Sequence, residues 1–230
     1  MKTVLRGGKL YKDGALTDNG SFEISDVTNM NDCDEKRVIE LDNSFILPSF
    51  CDVHVHFREP GFGYKETIRQ GSLAGAKGGY TAVGTMPNLK PVPCDMDSLR
   101  VQQDIIDRDA VIQVIPYGTI TKDQSGTGTL SDMEGMADHV LAFSDDGKGV
   151  QDDGLMREAM NVAKSLNKLI VAHCEDESLL REGKVRESEW RQIERDLKLA
   201  DETGCGYHVC HISCKESVEV IRDAKKSGVN

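Results

Sequence analysis

The stretch Phe45-Ile46-Leu47-Pro48-Ser49-Phe50-Cys51-Asp52-Val53-His54-Val55-His56-Phe57-Arg58-Glu59-Pro60-Gly61 decides how this chain is read. An apolar run leads into two histidines separated by one residue. On extended backbone successive side chains face opposite sides, so His54 and His56 share a face and can aim ring nitrogens at one cation. That is half a metal site. Alternating histidines are just as commonly surface or satisfied residues. Here the residues that follow supply a cation, Arg58, and a Pro-Gly turn, as expected where a strand gives way to an active-site loop.

Working outward, short β-rich apolar runs recur with helical stretches between them: Tyr80 to Met86, Ala110 to Ile115, His139 to Ser144, Leu169 to His173 and Tyr207 to Ile212. Such alternation means a parallel sheet. With the His54 strand this makes six β-α units whose polar and histidine residues gather at the C-terminal ends of the strands, the catalytic rim of a closed (β/α)8 barrel. An open doubly wound sheet is the alternative, but no Gly-rich phosphate loop follows a strand to support it. In one intervening segment Leu155, Ala159, Val162 and Leu166 form a helical stripe. In another, Ser213-Cys214-Lys215-Glu216 predicts a capping box, with Val218, Ile221 and Ala224 on one face and Gly228 as the stop. Before the sheet, residues 1–47 are expected to form short strands broken by Gly7-Gly8, Asp13-Gly14 and Asn19-Gly20, the last two being tight-turn signals.

The 230 residues can bury a large core, and their formal charge of -11 argues against a nucleic-acid or anionic-membrane partner. A small anionic substrate would be repelled by the same field, so it must be captured by a metal ion and specific arginines. Residues 1–8 lack the apolar stretch expected of a secretory signal, no later run reads as membrane-spanning, and seven cysteines without CxxC pairs fit reduced thiols. The cytoplasm is the expected compartment.

Four features lie at strand ends: His54 with His56, Ser144-Asp145-Asp146-Gly147, His173-Cys174-Glu175-Asp176, and His211-Ile212-Ser213. Neutral imidazoles with a carboxylate suit zinc or a similar divalent ion, and a carboxylate can bridge two ions. Spacing leaves open whether Asp145 or Asp146 is that carboxylate. Alternation predicts that Cys174 and Cys210, each next to a candidate histidine, face the helices as core filler, and that His208 also faces away from the site. His139, at the start of its run, is expected to be structural, and Glu175 and Asp176 to be structural or solvated.

The runs Ile46-Leu47-Pro48 to Gly61, Thr85-Met86-Pro87-Asn88, Ala142 to Gly147, His173 to Asp176 and His211 to Ser217 together resemble those of the dihydroorotases, in the type I bacterial branch of the cyclic amidohydrolases. The resemblance implies a metal-dependent (β/α)8 TIM barrel with a small β-domain. Residues 1–47 would be the N-terminal part of that small domain and residues 48–230 the first six β/α units. By motif, His54, His56, Asp146, His173 and His211 would be metal ligands, with Asp146 between two zinc ions. Arg58 and Asn88 would grip a substrate carboxylate. The implied reaction is reversible hydrolysis of the ring amide of dihydroorotate to N-carbamoyl-aspartate, in pyrimidine biosynthesis. A homodimer is the default assembly.

The chain departs from that family in places. The connection from His173 to His211 is short around Lys184-Val185-Arg186-Glu187-Ser188, Ser49 stands where glycine is usual, and the sequence stops at Asn230 where a seventh strand is expected. The expectation is therefore a piece of a longer protein, with the general acid–base aspartate beyond Asn230 and no catalytic residue of that kind within these 230 residues, which alone would be inactive. Hydantoinase, dihydropyrimidinase and allantoinase are the rival activities; they bridge their metals with a carboxylated lysine, whereas Lys148 here falls in a turn. A non-catalytic homologue partnering a carbamoyltransferase is the other alternative, one expected to lose the ligands that this chain keeps.

Overall fold

The computed structural model describes residues 2–25, 36–42 and 44–230. Two compact units divide the chain, Met1–Phe50 and Cys51–Asn230.

In the first unit, β1 (Lys2–Lys12) and β2 (Ala15–Ser25) form an antiparallel hairpin, while β3 (Lys36–Glu40) and β4 (Phe45–Ile46) pair with β1 in parallel. Asp13 and Gly14 make the turn with φ of 53° and 84°, the positive pair that a two-residue hairpin needs. The other two glycine signals do not break strands. Gly7-Gly8 lies within β1, where the register to β2 shifts, and Asn19-Gly20 lies within β2, with Gly20 opposite Gly8. A bulge absorbs the glycines and lets one long strand continue.

The second unit holds all of β5 (Phe50–Val55) but its first residue and continues through α1 (Ile68–Lys77), β6 (Tyr80–Thr85), α2 (Met96–Asp109), β7 (Gln113–Pro116), α3 (Met133–Met136), α4 (Asp153–Ser165), β8 (Ile170–His173), α5 (Glu177–Arg181), α6 (Val185–Thr203), β9 (Tyr207–Cys210) and α7 (Lys215–Lys226). Neighbours in sequence are neighbours in the sheet: β5-β6-β7 on one side and β8-β9 on the other, with β6–β7 and β8–β9 parallel. The segment expected as a strand from His139 to Ser144 is strand-like only near its end. His139 closes a short 3₁₀ turn, and Phe143 alone bridges Gly118 and Ile170, in parallel, joining the two halves.

Alternation about Phe143 sorts the core into layers. Phe143 and Ile170 are fully buried with Met156, Ala159, Met160 and Ala163 of α4, whereas Ala142, Val171 and Cys210 pack with Met86 and Tyr117. The α4 stripe is therefore centred one residue from the expected one: Ala159 is central, and Leu155, Val162 and Leu166 flank it. α7 begins after Cys214 without a side-chain cap. Ser213 is not the expected cap because its hydroxyl and N–H both donate to Glu189 of α6. The junction at Lys184–Ser188 forms the start of α6, with Lys184 preceding its first turn.

Six cysteines, Cys51, Cys94, Cys174, Cys205, Cys210 and Cys214, are free thiols, and Cys33 lies outside the described residues. Among the described residues no helix is long and apolar enough to cross a membrane.

Candidate metal centre

Strand ends deliver the histidines, and the loop after Phe143 delivers the carboxylate they surround. Asp146 is 5% exposed. Its Oδ1 lies 3.3 Å from His211 Nε2, 3.5 Å from His54 Nε2 and 4.0 Å from His173 Nδ1, and its Oδ2 lies 3.6 Å from His56 Nε2. Four histidines from three strand ends thus converge on one carboxylate. Two ligand atoms each about 2.0–2.1 Å from a tetrahedral ion stand roughly 3.3–3.4 Å apart. The His211–Asp146 and His54–Asp146 separations match that spacing, and the ligand atoms of His54, Asp146 and His211 all lie within 4.8 Å of one another.

The state of the imidazoles also suits a cation. Burial lowers the His54 and His56 pKa values below that of a free imidazole; Asp146 acts in the opposite direction. Both are held neutral with a lone pair available. His54 Nε2 and His173 Nδ1 are buried without any hydrogen-bond partner, an expensive arrangement unless an ion fills it. In each ring the other nitrogen is occupied: His54 Nδ1 meets Cys210 Sγ at 3.5 Å, and His173 Nε2 meets Glu175 Oε2 at 2.9 Å. Such contacts to the far nitrogen select the tautomer and orient the ring. The residues present therefore fit a divalent metal.

The ambiguity between the two aspartates has a geometric answer. Asp145 turns away into a nest of donors, accepting from the backbone N–H of Ile120 at 2.8 Å, of Thr121 at 3.1 Å and of Gly126 at 3.3 Å, and from the Thr121 hydroxyl. Burial raises its pKa and these hydrogen bonds work against that rise. Asp145 is the structural partner of the pair.

Cys210 is where the alternation argument fails. It sits on the site side, against His54, because His211 leaves extended geometry with φ of 57°, so parity counted back from His211 is reset. Burial pushes the Cys210 thiol up to about 12, so it remains protonated. Cys174 faces the helix-side core as expected, meeting the Tyr207 hydroxyl at 3.2 Å. His208 and His139 are exposed, and Asp176 caps α5 by accepting from Ser178 and Leu179 N–H. Glu175, expected to be structural or solvated, meets His173 Nε2 at 2.9 Å, a structural contact.

Arg58 lies close enough to His56 for its charge to depress the His56 pKa further, and among the described residues its guanidinium has no ion-pair partner. The Asn88 side chain donates to the Asp146 carbonyl at 2.7 Å, so it supports the carboxylate's loop. A cavity of about 410 Å³ opens beside the histidines, lined by His173, Glu175, Arg186, Glu189, His211 and Ser213 among others.

With this geometry established, likeness to known proteins is informative. Residues 43–217 match the dihydro-orotase-like family. The chain belongs to that family. It is 47% identical to a dihydroorotase of Fusobacterium nucleatum, covering 98% of this chain and 56% of that protein, and 46% identical to a dihydroorotase of Bacillus licheniformis, covering 97% and 55%. It thus spans little more than half the length of these relatives. Among solved structures, an L-hydantoinase from Arthrobacter aurescens aligns with a TM-score of 0.82 at 19% identity, covering 99% of this chain and 56% of that one. A D-hydantoinase from a Thermus species aligns with a TM-score of 0.75 at 20% identity over similar shares, 99% and 56%. The dihydro-orotase-like chain thus has the α/β fold of the amidohydrolases. Lys148, the only lysine near the Asp145-Asp146 pair in sequence, is exposed in the turn that closes on Asp145, its N–H donating to the Asp145 carbonyl at 2.8 Å.

Proposed function

We propose that this chain carries the metal-binding residues of a dihydroorotase site, for metal-dependent hydrolysis of the ring amide of dihydroorotate to N-carbamoyl-aspartate. The observation that carries the proposal is the buried Asp146 carboxylate encircled by His54, His56, His173 and His211, in a dihydro-orotase-like chain. Zinc is the metal best suited to this nitrogen-rich set, and the split of the histidines between the two Asp146 oxygens supports a shared pair of ions. When bound, a divalent ion supplies Lewis acidity toward an amide carbonyl and makes water a nucleophile near neutral pH.

The residues of the chain do the rest. Arg58, a cation beside His56 with no carboxylate partner among the described residues, pairs with the substrate carboxylate and so fixes which carbonyl faces the histidines. Neutral His54 and His56 present lone pairs instead of repelling a cation. Glu175 keeps His173 Nδ1 turned toward Asp146. Ring opening creates a new carboxylate, so alkali favours hydrolysis and acid favours closure. The test is a substrate comparison on the complete protein. Turnover of dihydroorotate and N-carbamoyl-aspartate is expected; hydrolysis of hydantoin with neither of those substrates turned over would refute the assignment.

A further inference from the structure

We propose that Gln124 is a positioning residue for Asp146, acting through the peptide carbonyl of that residue. This rests on the reading of Asp146 as a metal ligand and extends it to a residue that no strand-end motif contains. Gln124 Nε2 donates to the Asp146 carbonyl oxygen at 2.7 Å, and Asn88 Nδ2 donates to the same oxygen at 2.7 Å. Both lone pairs of that oxygen are therefore occupied by side chains from two different loops. Backbone carbonyls are ordinarily satisfied by other backbone groups; two amides spent on one carbonyl, at the residue whose carboxylate the histidines surround, fix the plane from which that carboxylate projects.

The loop bearing Gln124 is shaped for this contact. Asp123 and Gln124 have φ of 65° and 53°, consecutive left-handed positions that residues with a β-carbon rarely adopt. The same turn is fastened to the neighbouring aspartate: the Thr121 hydroxyl donates to Asp145 and accepts from Ser125 N–H and Gly126 N–H at 3.0 Å each. One loop thus holds Asp145 by its carboxylate and Asp146 by its carbonyl. After Asp146 the chain turns through Gly147 at φ of 79°, so without these donors little regular structure would define the Asp146 peptide. Outer partners of a metal ligand typically contribute 10–100-fold to metal affinity.

The experiment is metal binding by the purified complete protein, with Zn2+ affinity from chelator competition and the visible spectrum of the Co2+-loaded protein. Gln124→Met and Gln124→Ala should each weaken Zn2+ binding by about 10–100-fold and shift the Co2+ bands, while the melting temperature of the metal-free protein stays at the wild-type value. Thr127→Ala, an exposed change in the same loop, should alter neither. Wild-type affinity and an unchanged Co2+ spectrum in both Gln124 variants would overturn the inference and leave the metal site standing. Equal loss in Thr127→Ala, or a metal-free protein destabilised in step with the lost affinity, would overturn it in favour of a general loop effect. A wild-type chain that binds no divalent ion would overturn both the inference and the functional reading beneath it.

Discussion

Replacing Glu189 by Gln should weaken the fold in a strongly pH-dependent way. Glu189 projects from α6, is 7% exposed, and gathers the segment that follows His211: Ser213 N–H at 2.9 Å and its hydroxyl, Cys214 N–H at 3.3 Å, and the Ser217 hydroxyl at 2.6 Å. Burial opposes its ionisation, but these donors outweigh burial and bring its pKa from 4.5 to about 2. Because the folded value lies below the unfolded one, the stabilisation is fully present above the unfolded value and is lost as pH falls through the folded value. At about 1.36 kcal/mol per pH unit the difference corresponds to about 3 kcal/mol near pH 7, falling to about 1.4 kcal/mol at pH 3. Glu189→Gln removes the charge while keeping the shape, so denaturant unfolding at pH 7 should show a loss of about 2–3 kcal/mol that shrinks to about half or less at pH 3. An equal loss at both pH values, or a loss under about 0.5 kcal/mol at pH 7, would refute the reasoning.

Arg58→Met in the complete protein should cut kcat/KM for dihydroorotate severely while metal content stays at the wild-type level, since the guanidinium binds substrate and not metal; parallel steady-state kinetics and metal analysis check this. Tyr207→Phe removes a hydroxyl that donates to the fully buried Asp196 at 2.7 Å, and should cost about 1–3 kcal/mol in denaturant unfolding without changing metal content. Asp145→Ala should lower stability, because Ile120, Thr121 and Gly126 lose their common acceptor, and should reduce metal affinity less than Asp146→Ala does in the same chelator titration.

Much of the site was legible because strands obey a simple rule. His54 and His56 lie two residues apart at a strand end and do meet the same carboxylate, and His173 and His211 terminate or directly follow later strands. What the sequence left open or misassigned has local causes. Adjacent aspartates cannot be told apart by period, and the donors that claim Asp145 come from a loop some twenty residues upstream, a tertiary contact invisible in the chain order. Cys210 faces the site because one left-handed residue, His211, breaks the alternation on which its expected direction depended. Ser213 fits a capping box by composition, yet Glu189 from another helix takes its donors first. Gln124 carried no signal, since it lies in an irregular turn and its partner is a backbone carbonyl. In the first unit, paired glycines suggested breaks where a bulge let the strand run on.

The central claim is that Asp146 and its four histidines hold a divalent metal, and elemental analysis tests it most directly. Protein purified without chelator should carry stoichiometric divalent metal, zinc foremost, and Asp146→Ala should lose it while remaining folded by circular dichroism. A wild-type chain free of metal, or an Asp146→Ala chain retaining the full complement, would contradict the claim.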